Sequence, residues 1–261
     1  MIRRNRIVFS YEAGGNLCSF QVADGLLLES IDGADGLPLS YNEAGAPDGI
    51  GSPAWNFSVY ARPVTLNGYI LSRPADAHIA IMRRCFAPNV EGLLFAKDAA
   101  GKTYFLSCKP SSTPVIEPRT VQPRFQIQLR ADYPYWQRDS ATVVQHPLNA
   151  AAEIVIAGSV AAVYTAEIRL TSGSADRIVI RDDGSGDELR YEARLEAGQL
   201  LRIQNDTSGR IACTVDGDNA INAITGSLRK LLPGARSLTI DCGVNSSGSA
   251  AIIYREAIDS V

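Results

Sequence analysis

The residues of this sequence that could do chemistry are an aromatic run, two histidines, five cysteines and a few clustered acids. The run is RADYPYWQRD, Arg130 to Asp139, in which Tyr133, Tyr135 and Trp136 could stack on a sugar ring or a nucleic-acid base. Trp55 is the other tryptophan that could line a sugar site. A hydrolase would need a nucleophile beside a base, yet no G-x-S-x-G and no H-E-x-x-H occurs. His78 falls inside a helical pattern, and His146 precedes Pro147 in what reads as a linker. The acids Asp182, Asp183, Asp187 and Glu188, and the pair Asp216 and Asp218, lie in glycine-containing turns; their spacing is not that of a calcium loop, so solvated turns are expected. Phosphate-cradling glycine motifs are absent. The cysteines at 18, 85, 108, 213 and 242 are odd in number, scattered and without a C-x-x-C pair, which reads as small core hydrophobes in a reduced cytosolic setting. The sequence therefore nominates no catalytic, cofactor-binding or metal-binding residue and no cofactor.

Charge narrows the choice of partner. The net charge is −3, distributed as 14 Lys/Arg against 12 Asp/Glu over residues 1–138 and 11 against 16 over residues 139–261. Neither half carries the basic stripe that phosphate binding requires, so a nucleic-acid stacking surface loses support. At 261 residues, 46% hydrophobic, the chain can bury two cores, and no apolar run is long enough to span a bilayer. The start, MIRRNRIVFS, reads as a strand and not as a secretory leader. The N-x-S/T matches at Asn56, Asn205 and Asn245 are therefore read as chance.

The elements that must position these residues are mostly strands. Ile7, Phe9 and Tyr11 alternate, and NFSVYARPVTLNGYI, residues 56–70, reads as strands broken at Arg62-Pro63. Between them, residues 29–53 are dense in Gly, Pro, Asp and Asn and read as a long loop or hairpin able to reach a neighbour. SRPADAHIAIMRRCFAP predicts the one helix, with Ser72 as its cap, Pro74 in its first turn and Pro88 as its stop. GLLFAKDAAGKTYFLSCKP reads as a hairpin, and Phe125, Ile127 and Leu129 alternate on a strand that the aromatic run ends. The second half reads as an antiparallel sandwich, from alternation around Tyr164, Leu189, Ile211, Leu238 and Ile252 and from turns such as DDGSGD and NDTSG. SLRKLLPGAR, residues 227–236, reads as a turn or short 3₁₀ piece.

Taken in order, these pieces resemble the distal tail proteins of long-tailed siphophages and related prophages. The segments that carry the resemblance are ESIDGADGLPL, VTLNGYI, IMRRCFAPNVEGLLFAKDAAGKTYFLSCKP and FQIQLRADYPYWQ in the first half, with Pro134, Tyr135 and Trp136 at the strand end that finishes the N-terminal domain in that family. In the second half they are NAAAEIVIAGSVAAVYTAEIRL, EAGQLLRI and GSLRKLLPGARSLTI. The resemblance spans nearly the whole chain, although RIQNDTSGR lacks the aromatic-acidic strand of the family and REAIDSV lacks a closing aromatic.

The resemblance implies a mainly β chain: an N-terminal β-sandwich-type, ring-forming domain over 1–138 with one helix and a long arm, then a galectin-like sandwich over 139–261. It implies a virion structural protein with no reaction, assembled in the bacterial cytoplasm as a homohexameric hub at the tail tip. Its partners would be the tail tube, the baseplate or fibre proteins and the tape-measure protein, with DNA passing through the ring unbound and no membrane insertion. A carbohydrate-binding module for cell-surface recognition is the alternative. It calls for exposed aromatics, whereas Tyr164, Tyr191 and Tyr254 sit in core-like patterns. Trp136 is expected to be buried where the domains meet, and an exposed Trp136 would favour the sugar reading.

Overall fold

A computed structural model describes residues 7–43, 54–88, 90–118, 121–244 and 246–261, and of residues 40–43 and 54–58 the backbone alone. The central part of the predicted arm, the first six residues, Asn245 and the side chains of Trp55 and Asn56 lie outside the described residues. The chain divides into two compact units, one made of residues 1–137 with 259–261 and the other of residues 138–258.

The first unit is built from β1 (Val8–Ala13), β2 (Asn16–Ser19), β3 (Leu26–Asp32), β4 (Leu39–Glu43), β5 (Ala54–Val59), β6 (Arg62–Ile70), α1 (Asp76–Cys85), β7 (Gly92–Lys97), β8 (Thr103–Pro110), β9 (Val115–Glu117) and β10 (Arg124–Ala131). Seven strands run in the order β2-β1-β7-β8-β10-β6-β3, all neighbours antiparallel. The β8–β10 link is narrow, two residue pairs at Leu129–Pro110 and Arg130–Lys109, so the sheet can fold over on itself there. Aromatic contacts show that it does. Tyr11 on β1 stacks on Phe86 after the helix with ring centroids 4.4 Å apart, and Phe20 after β2 lies 5.9 Å from Phe125 on β10. Strict alternation feeds this core: Phe9, Tyr11 and Ala13 on β1, and Phe125, Ile127, Leu129 and Ala131 on β10, are buried. Gly68 on β6 is required by the same packing, because a Cβ there would sit 2.5 Å from the Phe125 ring and 2.1 Å from the Leu27 carbonyl oxygen.

Several local expectations need correction. Ser72 does not cap the helix; α1 begins four residues later with Ala75 at its N-cap, and the Ser72 hydroxyl instead lies 2.7 Å from His78 Nδ1. Strands β5 and β6 break at Tyr60-Ala61, so Arg62 and Pro63 belong to β6 and pair with Ala131 and Arg130. Of the segment expected as loop or hairpin, Glu29–Asp32 continues β3, while β4 and β5 pair as a separate two-stranded hairpin. Its base is closed by the Tyr60 N–H donating to the Pro38 carbonyl at 3.0 Å.

The chain continues through β11 (Trp136–Arg138), β12 (Thr142–His146), β13 (Ala151–Ile156), β14 (Ala162–Ser172), β15 (Ser174–Ala175), β16 (Ile178–Asp182), β17 (Glu188–Tyr191), β18 (Leu195–Glu196), β19 (Leu200–Asn205), β20 (Ile211–Val215), β21 (Asp218–Asn219), β22 (Ile224–Gly226), β23 (Lys230–Leu231), β24 (Gly234–Asp241), β25 (Ser247–Tyr254) and β26 (Ala257–Ile258). The second unit is a sandwich. One sheet runs β12-β25-β14-β19-β20-β21 and the other β13-β24-β16-β17-β22. Their inward residues form a single core, with Tyr164, Ile168, Leu201 and Ile252 from the first sheet against Ile154, Ile180, Leu189 and Leu238 from the second. The segment read as a turn or 3₁₀ piece instead supplies β23, which pairs with β14, and the start of β24 at Gly234. Both units are thus mainly β, and the one α-helix among the described residues, α1, lies in the first.

All five cysteines are buried and unbridged. Burial raises the thiols of Cys18, Cys108 and Cys242 to about 12 and that of Cys213 to about 11, and raises Cys85 as well. Protonated, inaccessible thiols react slowly, so fewer than one thiol per chain is expected to react with a disulfide reagent at pH 8 until denaturant releases all five. The folded state keeps protons that the unfolded state releases above the ordinary thiol value of 9.0, so stability should be full below that pH and decline as pH rises beyond it. Prompt labelling of the native protein, or stability constant up to pH 11, would contradict this packing.

Candidate functional site

The first unit's most unusual side chain is Arg62, which is completely buried at the start of β6. Its Nη1 donates to the Ala34 carbonyl at 2.8 Å and its Nη2 to the Asp259 carbonyl, while its Nε has no hydrogen-bond partner among the described residues. Burial lowers its pKa, opposed by the nearby Asp259, Asp35 and Tyr135. The Ala34 carbonyl also accepts from the Trp136 indole N–H at 3.1 Å, so one backbone oxygen joins Arg62 and Trp136. Gly33 allows this, with φ of +83° and so little space that a Cβ would meet the Pro63 carbonyl oxygen at 2.0 Å. Through Asp259, Arg62 also ties the last residues of the chain into the first unit.

Trp136 is 0% exposed and so cannot serve as a stacking platform. Tyr133 and Tyr135 are half-buried and meet edge to face at 5.2 Å, and burial raises Tyr133 to about 12. The charges around them are exposed: Asp132 bonds Lys109 at 2.8 Å and Arg130 at 3.0 Å, which holds its carboxyl below the usual range. Such solvated pairs contribute little to stability.

The histidines are occupied structurally. His78 joins α1 to the chain before β3, with Nε2 donating to the Asp24 carbonyl at 2.8 Å and Nδ1 accepting from Ser72. His146 is not in a linker but at the end of β12, buried, with its nitrogens 2.6 Å from the Pro147 carbonyl and 3.0 Å from that of Leu238. Both ring nitrogens of His146 are thus engaged by backbone carbonyls.

The acid-rich turns are not all solvated. Asp182 is buried, receives the Gly184 amide at 2.9 Å and pairs with Arg236 at 2.9 Å. Asp183 accepts from Arg181, Ser237 and Thr239, all at 3.0 Å or less, and this lowers its pKa. These carboxylates knit the β16–β17 turn to β24. Asn205 is likewise a core residue, with its amide on the Tyr164 carbonyl at 3.3 Å. Among the described residues no group of three potential ligands is placed to hold a metal ion. No helix among them is long and apolar enough to cross a membrane.

No model of a known protein family and no curated protein sequence matches the chain. Solved structures do. A crystal structure of the SPP1 Dit protein, described as a paradigm of the hub adsorption apparatus in phages infecting Gram-positive bacteria, matches with a TM-score of 0.74 at 13% identity, covering 96% of this chain and 99% of that one. The chain shares the fold of that hub protein. Chains of the phage P2 baseplate in its activated conformation agree, with a TM-score of 0.52 at 11% identity for the calcium form and 0.50 at 12% for the strontium form.

Within this fold β4 and β5 form a two-stranded sheet of their own, with its base at Pro38–Tyr60 only a few residues from Ala34 in sequence. The sequence singled out the arm and Trp136. It did not reveal Arg62, because an arginine at a strand start looks like any solvated surface residue until the fold buries it.

Proposed function

We propose that this chain is a structural hub component of a phage or prophage tail tip. It forms a ring of six copies through its first unit, joins the tail tube to the baseplate or adsorption apparatus and lets DNA pass through the channel without binding it. The observation that carries this reading is the end-to-end match to the SPP1 Dit hub, 96% and 99% of the two chains. The near-balanced charge of the first half supports free passage of DNA, since phosphate binding needs clustered cations. The hairpin, paired only with itself, supports ring closure, because an arm that engages the next copy head to tail generates a closed ring when the rotation permits. No catalytic role is assigned: His146 and Asp182 are engaged in structural bonds, and the five thiols are buried.

Negative-stain imaging of the purified protein tests the proposal, and a hairpin-deleted chain tests the role of the arm. The structure dictates where to cut. Removing residues 33–52 would delete Ala34, on which Arg62 and Trp136 both depend, and would confuse misfolding with failed assembly. Replacing residues 39–59 with Gly-Gly bridges the hydrogen-bonded pair Pro38 and Tyr60 and spares that core. The full chain is expected to form rings and the shortened chain to remain folded but monomeric. Rings formed equally by the shortened chain would remove the arm from the assembly mechanism.

A further inference from the structure

The outer face of the five-stranded sheet in the second unit holds a groove that none of the assembly roles uses. Its floor follows from strand register. Val179 on β16 stands opposite Arg190 on β17 and Asp241 on β24, and Arg181 stands opposite Glu188 and Thr239 on the same two strands. The residues between them, Ile178, Ile180, Leu189, Tyr191 and Ile240, face the core. The two outer rows therefore read Arg190–Val179–Asp241 and Glu188–Arg181–Thr239 across three strands. Arg177 adds a third guanidinium at the rim and is exposed.

One end of the groove is built. Asn149 has a φ of +58°, an uncommon conformation for a residue with a side chain, and spends its whole amide there. It accepts from the Cys242 N–H at 2.7 Å and donates to the carbonyls of Gly243 at 2.9 Å and Ser246 at 3.2 Å. This fixes Gly243 and Val244 as the end wall, with Val244 95% exposed beside the polar floor. The groove is open to solvent and its volume is about 360 Å³, room for about one or two pyranose rings.

Charge distinguishes this surface from its surroundings. Residues 139–261 carry 11 Lys/Arg against 16 Asp/Glu, whereas the groove is lined by three arginines and two carboxylates, Glu188 and Asp241, with Asp183 outside the lining bonded to Arg181. Arg190 is bonded to Glu188, and Arg181 and Thr239 to Asp183, which holds these groups in place and leaves Arg177 and the remaining N–H groups of Arg190 as donors to a carboxylate or phosphate, with Glu188 and Asp241 suited to hydroxyl groups. We propose that this groove binds a short segment of an acidic saccharide, holding its anionic group between Arg177 and Arg190 and its hydroxyls on the carboxylate side. Recognition here works without an aromatic platform, so the core positions of Tyr164, Tyr191 and Tyr254 do not count against it.

Calorimetric titration of the full-length protein with trigalacturonate, maltotriose and inorganic phosphate tests the assignment. Saturable binding of trigalacturonate, weakened by salt, is expected, with binding of maltotriose and phosphate at least about tenfold weaker. The double variant Arg177→Gln/Arg190→Gln, both at exposed or half-exposed positions, should lose about tenfold or more in trigalacturonate affinity, whereas Arg229→Gln outside the groove should not. Absence of saturable binding, equal affinity for maltotriose or for phosphate alone, or an unaffected double variant would each overturn the proposal. None of these outcomes bears on ring formation, which is read by imaging.

Discussion

Replacing Trp136 with alanine is expected to destabilise the protein by about 3 to 5 kcal/mol, the range for removing a fully enclosed large aromatic ring. Three observations place it there. The ring is 0% exposed, its N–H is spent on the Ala34 carbonyl, and that carbonyl also receives the buried guanidinium of Arg62. The alanine variant thus leaves a cavity beside a charge that has few other partners. Trp136→Phe separates the contributions: it keeps most of the buried area and loses the N–H, so about 1 kcal/mol is expected. Denaturant unfolding of both variants provides the check. A Trp136→Ala cost below about 1 kcal/mol would mean that the ring is not packed as described.

Arg236→Ala is expected to cost about 3 kcal/mol, because it strands the Asp182 carboxylate in the second unit. Asp182 has a side-chain exposure of 2% and Arg236 of 19%, with 2.9 Å between charged groups. Breaking a buried pair by removing one partner is far more damaging than the pair is stabilising, since the remaining charge stays desolvated. The Gly184 amide at 2.9 Å partly compensates, which places the expected loss at the low end of the usual range. The double variant Asp182→Asn/Arg236→Ala removes the stranded charge and should recover more than half of the loss. A double variant as unstable as Arg236→Ala would show that lost packing, and not an unpaired carboxylate, is responsible. The exposed Arg194–Glu196 pair, by contrast, should be removable at a cost within about 0.5 kcal/mol.

What could be read in the sequence follows a physical pattern. Period-two alternation identified β1, β10, β14 and β24 because each of these strands buries one face and wets the other. The hairpin of β7 and β8 was equally clear, with Asp98 in its turn accepting the amides of Ala100 at 2.9 Å and Lys102 at 2.8 Å. Local chemistry alone misled in three places. Ser72 resembled a helix cap but is drawn to His78, His146 resembled a linker residue but closes β12, and Asp182 resembled a solvated turn acid but is paired with Arg236 from 54 positions away. In each case the deciding partner is distant in sequence, or a competing side chain offers a better bond than the expected backbone group. The outer-sheet groove was illegible for the same reason. Its rows exist only through the register that sets Val179 and Arg181 opposite residues of two other strands.

The hub reading is tested most directly by negative-stain images of the purified full-length protein over a range of concentrations. Closed six-fold rings with an open central channel, built from the first units, are expected. Single compact particles at every concentration, with no ring forming even when tail-tube or baseplate partners are added, would contradict it.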